Sequence, residues 1–266
     1  MSDTGAGLTG IPLFSVRNLS MNFLLSGEGT VFRALRNINL EIYEGECLLI
    51  AGSNGSGKTV LMKILAGLLD PSGGEVLFRG NRLGDAGREL RRSVGLVFQD
   101  ADSQILGETL EEDAAFGPKN LGFSREETAE KTETALKMLG LWEKRHAQPR
   151  RLSGGEKRRL AAAGILAMGC GLMILDEPFA NLDWPGVMQV LKIIKSLKEQ
   201  GKTVVLLTHE LEKALAFADR LIILHAGELQ AEGKPEEVLE RLESAWGVRD
   251  PRQSYAGVED CTWLPP

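Results

Sequence analysis

Eight consecutive residues carry the clearest chemistry: Gly52, Ser53, Asn54, Gly55, Ser56, Gly57, Lys58 and Thr59. The pattern is Gly-x4-Gly-Lys-Thr, the P-loop spacing. Glycines at these positions let the backbone curl so that its N–H groups point inward and form an anion nest. A helix starting at the loop's end adds the partial positive charge of its N-terminus. Lys58 is then expected to reach the β- and γ-phosphates of a nucleoside triphosphate, and the Thr59 hydroxyl to ligate Mg²⁺. The motif needs a strand before it and a helix after it. The apolar run Cys47–Ile50 supplies the first, and Val60, Leu61, Ile64, Leu65 and Leu68 recur at helical spacing for the second.

Two further clusters fit the same chemistry. Met173-Ile174-Leu175-Asp176-Glu177-Pro178 reads as an apolar strand ending in two acids. At such a strand tip Asp176 suits the Mg²⁺ shell, and Glu177 stands next to it, placed to orient or deprotonate a water. Leu152-Ser153-Gly154-Gly155-Glu156 precedes a helix-forming run and reads as a second anion-binding helix N-terminus. One P-loop does not need two phosphate sites for one ATP, so Ser153, Gly154 and Gly155 are expected to serve a nucleotide held by another copy. Phe23 and Phe32 lie upstream, and either could stack on the base.

The elements that must position these groups alternate between short apolar runs and amphipathic stretches. Strands are expected at Phe14–Val16, Ile38–Ile42, Cys47–Ile50, Glu75–Arg79, Val94–Phe98, Leu172–Leu175, Val204–Leu207, Leu221–Leu224 and Glu228–Ala231. Gly27-Glu28-Gly29 reads as a hairpin tip and His225-Ala226-Gly227 as another turn. Helices are expected at Glu89–Arg92, at Ser124–Leu139 with Ser124 as N-cap, at Gly154–Met168, around Val187–Leu197 up to Gly201, at Glu210–Ala218 and at Pro235–Ser244. The implied fold is α/β: a P-loop core with a mostly parallel sheet, an antiparallel β element before it, and a helical subdomain over about 100–171, its helices parted by Gly and Pro breaks. Residues 1–11 read as a flexible N-terminus, 12–246 as one ATPase domain and 247–266 as a loosely ordered tail.

Composition narrows the class. The chain has 266 residues, 43% hydrophobic and 26% charged, with a net charge of -6, within the range of globular domains. An acidic balance lacks the basic footprint of general nucleic-acid binders, so no nucleic-acid partner is expected. Cys47, Cys170 and Cys261 show no metal spacing and are expected to be reduced thiols. The charge-free run Leu160–Leu175 is shorter than the roughly 20 residues that span a bilayer and is cut by Gly169-Cys170-Gly171. The N-terminus lacks the basic-then-apolar order of a signal peptide.

Taken together, the P-loop, Gln99, Leu152–Glu156, Leu175–Pro178, Ala180-Asn181-Leu182-Asp183 and His209 resemble, in order and spacing, the ATPase subunits of ABC transporters. The resemblance covers about residues 13–240. It implies that Gln99 senses Mg²⁺ and the attacking water, that His209 contacts the γ-phosphate, and that Asp183 crosses a dimer axis beside the opposite P-loop. It also implies that Ser153 and Gly155 touch the γ-phosphate of the facing subunit. Val97–Ile105, Thr109–Asp113 and Ala115–Pro118 are similar to the ATPase subunits of energy-coupling-factor (ECF) importers. Asp100-Ala101 stands where that subfamily commonly has Asn-Pro, and Phe179-Ala180-Asn181 where Thr-Ala-Gly is commoner. The implied partners are an integral membrane T-type component, a substrate-capture subunit and a second ATPase copy or paralogue. The implied location is the cytoplasmic face of the cell membrane. Another ABC transporter branch and a non-transport ABC ATPase are the alternative readings, the latter disfavoured by the single P-loop and the lack of heptad or zinc spacing.

Overall fold

The structure is a computed structural model that describes residues 10–24, 30–98 and 100–252. Gln99, the expected Gly27–Gly29 tip, most of the 1–11 segment, and Cys261, Trp263 and Leu264 in the tail lie outside the described residues.

The chain opens with two long strands, β1 (Phe14–Leu24) and β2 (Val31–Ile42), which pair antiparallel. There follow β3 (Cys47–Ala51), the P-loop, α1 (Lys58–Leu65), β4 (Gly73–Phe78), β5 (Asn81–Arg82), α2 (Gly87–Ser93) and β6 (Val94–Val97). A helical stretch contains α3 (Leu110–Asn120), α4 (Arg125–Met138) and α5 (Gly154–Met168). The chain then returns through β7 (Leu172–Asp176), α6 (Trp184–Glu199), β8 (Thr203–Thr208), α7 (Leu211–Ala214), β9 (Arg220–His225), β10 (Glu228–Gly233) and α8 (Pro235–Glu240).

Two sheets result. One is antiparallel, in the order β2-β1-β4-β5; the other has six strands in the order β10-β9-β3-β8-β7-β6. In the larger sheet every neighbouring pair from β9 to β6 is parallel, and only β10 runs against its neighbour. Strands β3, β7 and β8 are buried along their whole length, as strands covered on both faces must be. Alternation divides their side chains between two cores. Leu48, Ile50, Ile174 and Val205 pack with α1, α2 and the antiparallel sheet. Leu49, Met173, Leu175 and Leu206 pack with α3 to α6.

The helix starts follow from short-range polar chemistry. Thr109, Ser124 and Ser153 each begin a capping box, with Glu112, Glu127 and Glu156 three residues on. Gly169 takes the left-handed conformation that ends α5. Some expected elements differ. α1 stops at Leu65, and Leu68, expected on its buried face, lies beyond the helix and is exposed. The stretch 210–218 divides into α7 and a 3-10 turn, Leu215–Phe217, and α8 ends at Glu240, short of Ser244.

Gly117-Pro118 sits inside α3 and is not a break between helices. Its proline falls in the last turn, so the ladder bond it cannot donate is one of the last in the helix. Gly117 lies close against α5: a Cβ there would lie 2.5 Å from Met168 Cγ, so that side chain would have to shift. Gly117→Val is therefore expected to overpack the α3–α5 contact at about 1–3 kcal/mol, a Tm loss of roughly 2–12 °C for a chain of this size. Thermal denaturation checks this, and an unchanged Tm contradicts the close approach.

Candidate functional site

Parallel register brings the predicted chemistry to one edge of the sheet. β3 and β8 are in step to Ala51 and Thr208, and β7 reaches Asp176 opposite Leu207 of β8. The P-loop leaves β3, Asp176 and Glu177 leave β7, and His209 leaves β8. All three exits are carboxyl ends of adjacent strands, where open α/β sheets place their ligands.

The P-loop has little room for side chains at its base. A Cβ on Gly52 would lie 2.2 Å from the Leu224 carbonyl of β9, and one on Gly57, at φ 105°, would lie 2.8 Å from the Ala34 carbonyl. At the crown the reverse holds: a Cβ on Gly55 would meet nothing within 4 Å. Two turns brace the loop. Ser56 N donates to Ser53 O at 3.1 Å, and Gly227 N donates to Ser56 O at 3.0 Å while Gly227 O accepts from Arg36 N. The expected His225–Gly227 turn thus wedges the P-loop against β2. α1 has Gly57 at its N-cap and no side-chain cap, so its first amides have no intrahelical partner.

Lys58 is only 5% exposed. Its ammonium donates to Gly52 O at 2.6 Å and Ser53 O at 3.1 Å, and Glu177 Oε1 lies 3.6 Å away. Burial lowers its pKa, and the charges of Glu177 and Asp176 oppose that shift. Thr59 Oγ1 donates to Asp176 Oδ2 at 3.1 Å. Asp176 Oδ1, Ser56 Oγ and Glu177 Oε1 are buried without a hydrogen bond. Burial raises the Asp176 pKa, the Thr59 bond lowers it, and the neighbouring Glu177 charge raises it again. Thr59 and Asp176 together are an oxygen pair that could hold a hard divalent cation.

Glu177 holds a left-handed backbone at φ 46°, uncommon for a residue with a Cβ. Its N–H donates to Leu207 O at 2.8 Å and its carbonyl accepts from Ala180 N. The side chain turns inward, with Oε2 3.0 Å from His209 Nδ1. Lys58, Glu177 and His209 therefore form a chain of contacts across the site. Phe23 and Phe32 are directly paired across β1 and β2. Phe32 is 49% exposed, while Phe23 packs partly against the core beneath the antiparallel sheet.

Ser153, Gly154 and Gly155 open α5 elsewhere. Among the described residues no hydrogen bond or ion pair joins them to the P-loop, Asp176, Glu177 or His209. Arg158 of the same helix is buried and donates to the carbonyls of Pro178 and Ala180. That ties α5 to the turn after Glu177. Asp183 caps α6 through Gly186 N at 3.0 Å. Gln104, which lies in the Val97–Ile105 stretch but carried no assigned role, donates to Leu96 O at 2.8 Å and accepts from Phe98 N at 2.7 Å. Its amide supplies β6, the edge strand, with the two bonds a further strand would make. No local pattern reveals such a contact, because only the folded sheet shows which edge is open.

Comparison with known proteins shows the family of the chain. The model of the family described as "ABC transporter" matches residues 35–180. A putative ABC transporter ATP-binding protein of Methanosarcina acetivorans is 43% identical over 86% of this chain and 70% of its own. The energy-coupling factor transporter ATP-binding protein EcfA1 of Clostridium perfringens is 42% identical over 85% of this chain and 81% of its own. Among solved structures, cbiO1 from Clostridium perfringens, part of the ABC transporter complex cbiONQ, superposes with TM-score 0.74 at 33% identity, covering 87% of this chain and 92% of that one. The ATP-binding cassette MJ0796, solved as a dimer in a post-hydrolysis state with ADP and Pi, gives TM-score 0.75 at 31% identity over 84% and 98%. The chain belongs to the ABC transporter family, as an ATP-binding and ATP-hydrolysing subunit. Among the described residues no helix is long and apolar enough to cross a membrane.

The buried, half-satisfied carboxylate gives a stability prediction. Because folding raises the Asp176 pKa above its ordinary 3.8, the folded state holds that proton more tightly than the unfolded chain. Its contribution to stability then falls as pH rises through 3.8, and the penalty is complete above the folded value. Asp176→Asn removes the penalty, so the nucleotide-free variant is expected to melt above the parent at pH 7.5, with the gap closing toward pH 4. Equal melting temperatures at pH 7.5 contradict it.

Proposed function

We propose that this chain is the ATPase subunit of an energy-coupling-factor importer and that it works as a head-to-tail pair. The P-loop residues 52–59 of one copy would face Ser153, Gly154 and Gly155 of the other across each ATP. The main support is the meeting of Lys58, Thr59, Asp176, Glu177 and His209 at three adjacent strand ends, while the Ser153 amides stand apart from them.

The assignments follow from donor chemistry. Lys58 would turn its ammonium from the P-loop carbonyls to the β- and γ-phosphates, and the free amides of α1 would complete the cradle. Thr59 and Asp176, with Gln99, would hold Mg²⁺, which when bound neutralises developing phosphate charge. Glu177 would orient or deprotonate the water, and His209, hydrogen-bonded to Glu177, would contact the γ-phosphate. Phe23 is the proposed base-stacking residue, with its cross-strand partner Phe32 the alternative. Asp183 would lie near the facing P-loop.

Closure would be favoured when the same phosphates satisfy groups from both copies, and lost when hydrolysis leaves the facing Ser153 without a γ-phosphate. That is a population shift driven by differential binding. The similarity to EcfA1 and to cbiO1 of the cbiONQ complex supports a membrane T-type component and a substrate-capture subunit as partners, with this chain at the cytoplasmic face. A second ATPase, identical or related, completes the pair.

Glu177→Gln is expected to lower ATP turnover about 10²-fold or more while leaving ATP binding intact, so that an ATP-bound dimer accumulates on size exclusion. A Glu177→Gln chain that turns over ATP at the parental rate removes Glu177 from its role. Lys58→Ala is expected to weaken ATP affinity about 10- to 100-fold, as loss of a charged hydrogen-bond donor implies. Isothermal titration measures it, and unchanged affinity contradicts the phosphate assignment.

A further inference from the structure

The proposed phosphate-facing end of α5 contains a carboxylate. Ser153 N donates to Glu156 Oε2 at 2.8 Å, and Ser153 Oγ accepts from Glu156 N at 3.3 Å. This box organises the N-terminus and leaves the amides of Gly154 and Gly155 without intrahelical partners. It also fixes a negative charge three residues from the serine, on a surface proposed to receive a triphosphate. Like charges so close repel, so Glu156 alone works against the binding that its own cap prepares.

The structure supplies a counter-charge. Lys144 Nζ lies 2.5 Å from Glu156 Oε1, the oxygen beside the one that caps Ser153. Glu156 is half-buried while Lys144 is largely open to solvent. Lys144, together with the Ser153 cap, holds the Glu156 carboxyl well below the usual range, at about 2, so the carboxylate stays charged at any working pH. The stem that carries Lys144 is firmly placed. Its 3-10 turn, Trp142–Lys144, follows α4, and the next residues accept hydrogen bonds from the start of α3, Glu111 N to Arg145 O at 2.9 Å and Leu110 N to Ala147 O at 3.2 Å. Arg145 stacks on Trp142 at 4.4 Å. The ammonium is thus delivered to Glu156 from a fixed platform.

We propose that Lys144 is a positioning residue of the Ser153–Gly155 half-site, whose ammonium neutralises Glu156 so that the capped helix end can accept the phosphates of ATP held by a second copy. The inference rests on the paired reading above. It makes the deleterious element of the half-site the uncompensated Glu156 charge, separate from any loss of fold.

The test uses the full chain in the Glu177→Gln background, with ATP-dependent dimerisation followed by size exclusion. Lys144→Met is expected to raise the ATP concentration for half-dimerisation about tenfold. Adding Glu156→Gln removes the charge and keeps the cap, since glutamine also closes a capping box, and is expected to return the midpoint to within about twofold of the parent. Rescue of this kind would not occur if Lys144 merely held the fold. A Lys144→Met midpoint equal to the parent's, or a double variant as impaired as the single one, overturns the inference. Gly155→Asp tests the underlying reading separately: it is expected to abolish the ATP-dependent dimer. If it does not, or if the parent stays monomeric in ATP, the half-site reading fails and this inference goes with it.

Discussion

The site depends on the register of three parallel strands. β3, β8 and β7 end within a residue of one another, so a lysine after the first, a histidine after the second and two acids after the third meet without any long loop to carry them. Side chains alternate along a strand, so a one-residue slip of β7 would exchange the two faces. Asp176 would leave Thr59, and Glu177 would leave Lys58 and His209. The register itself is held by cores on both faces of the sheet, which penalise a slip at every buried position.

The site balances charges that water would ordinarily solvate. One buried ammonium sits between two backbone carbonyls and two buried carboxylates, and several oxygens around it lack a hydrogen bond. In the proposed function, phosphate oxygens and a cation would satisfy these groups. The left-handed backbone at Glu177 belongs to the same arrangement. It turns the chain sharply after β7, and the fold tolerates the strain because Leu207 O and Ala180 N hold the turn from both sides.

Much of this was legible in the sequence, for physical reasons that differ by element. The P-loop spacing, the acid-tipped apolar run and the Ser124 N-cap are short-range patterns whose chemistry is complete within a few residues. Apolar runs without alternation revealed doubly covered strands, and so the mostly parallel sheet. What stayed hidden depends on residues far apart in the chain. Gly117 gives no sign in the sequence that it lies against Met168. Gln104 supports a sheet edge that exists only once β6 is the last strand. Lys144 meets Glu156 because α4 ends beside the start of α5. The P-loop's brace by Gly227 likewise needs the fold to bring that turn against β2.

The central claim is that one chain carries two separate half-sites and hydrolyses ATP only when paired. ATP turnover per chain, measured on the purified protein across a dilution series with sedimentation run in parallel, tests this most directly. The account predicts turnover per chain that falls in proportion to the dimer fraction and vanishes in the monomer range. Turnover per chain that stays constant down to concentrations where only monomer sediments would contradict it.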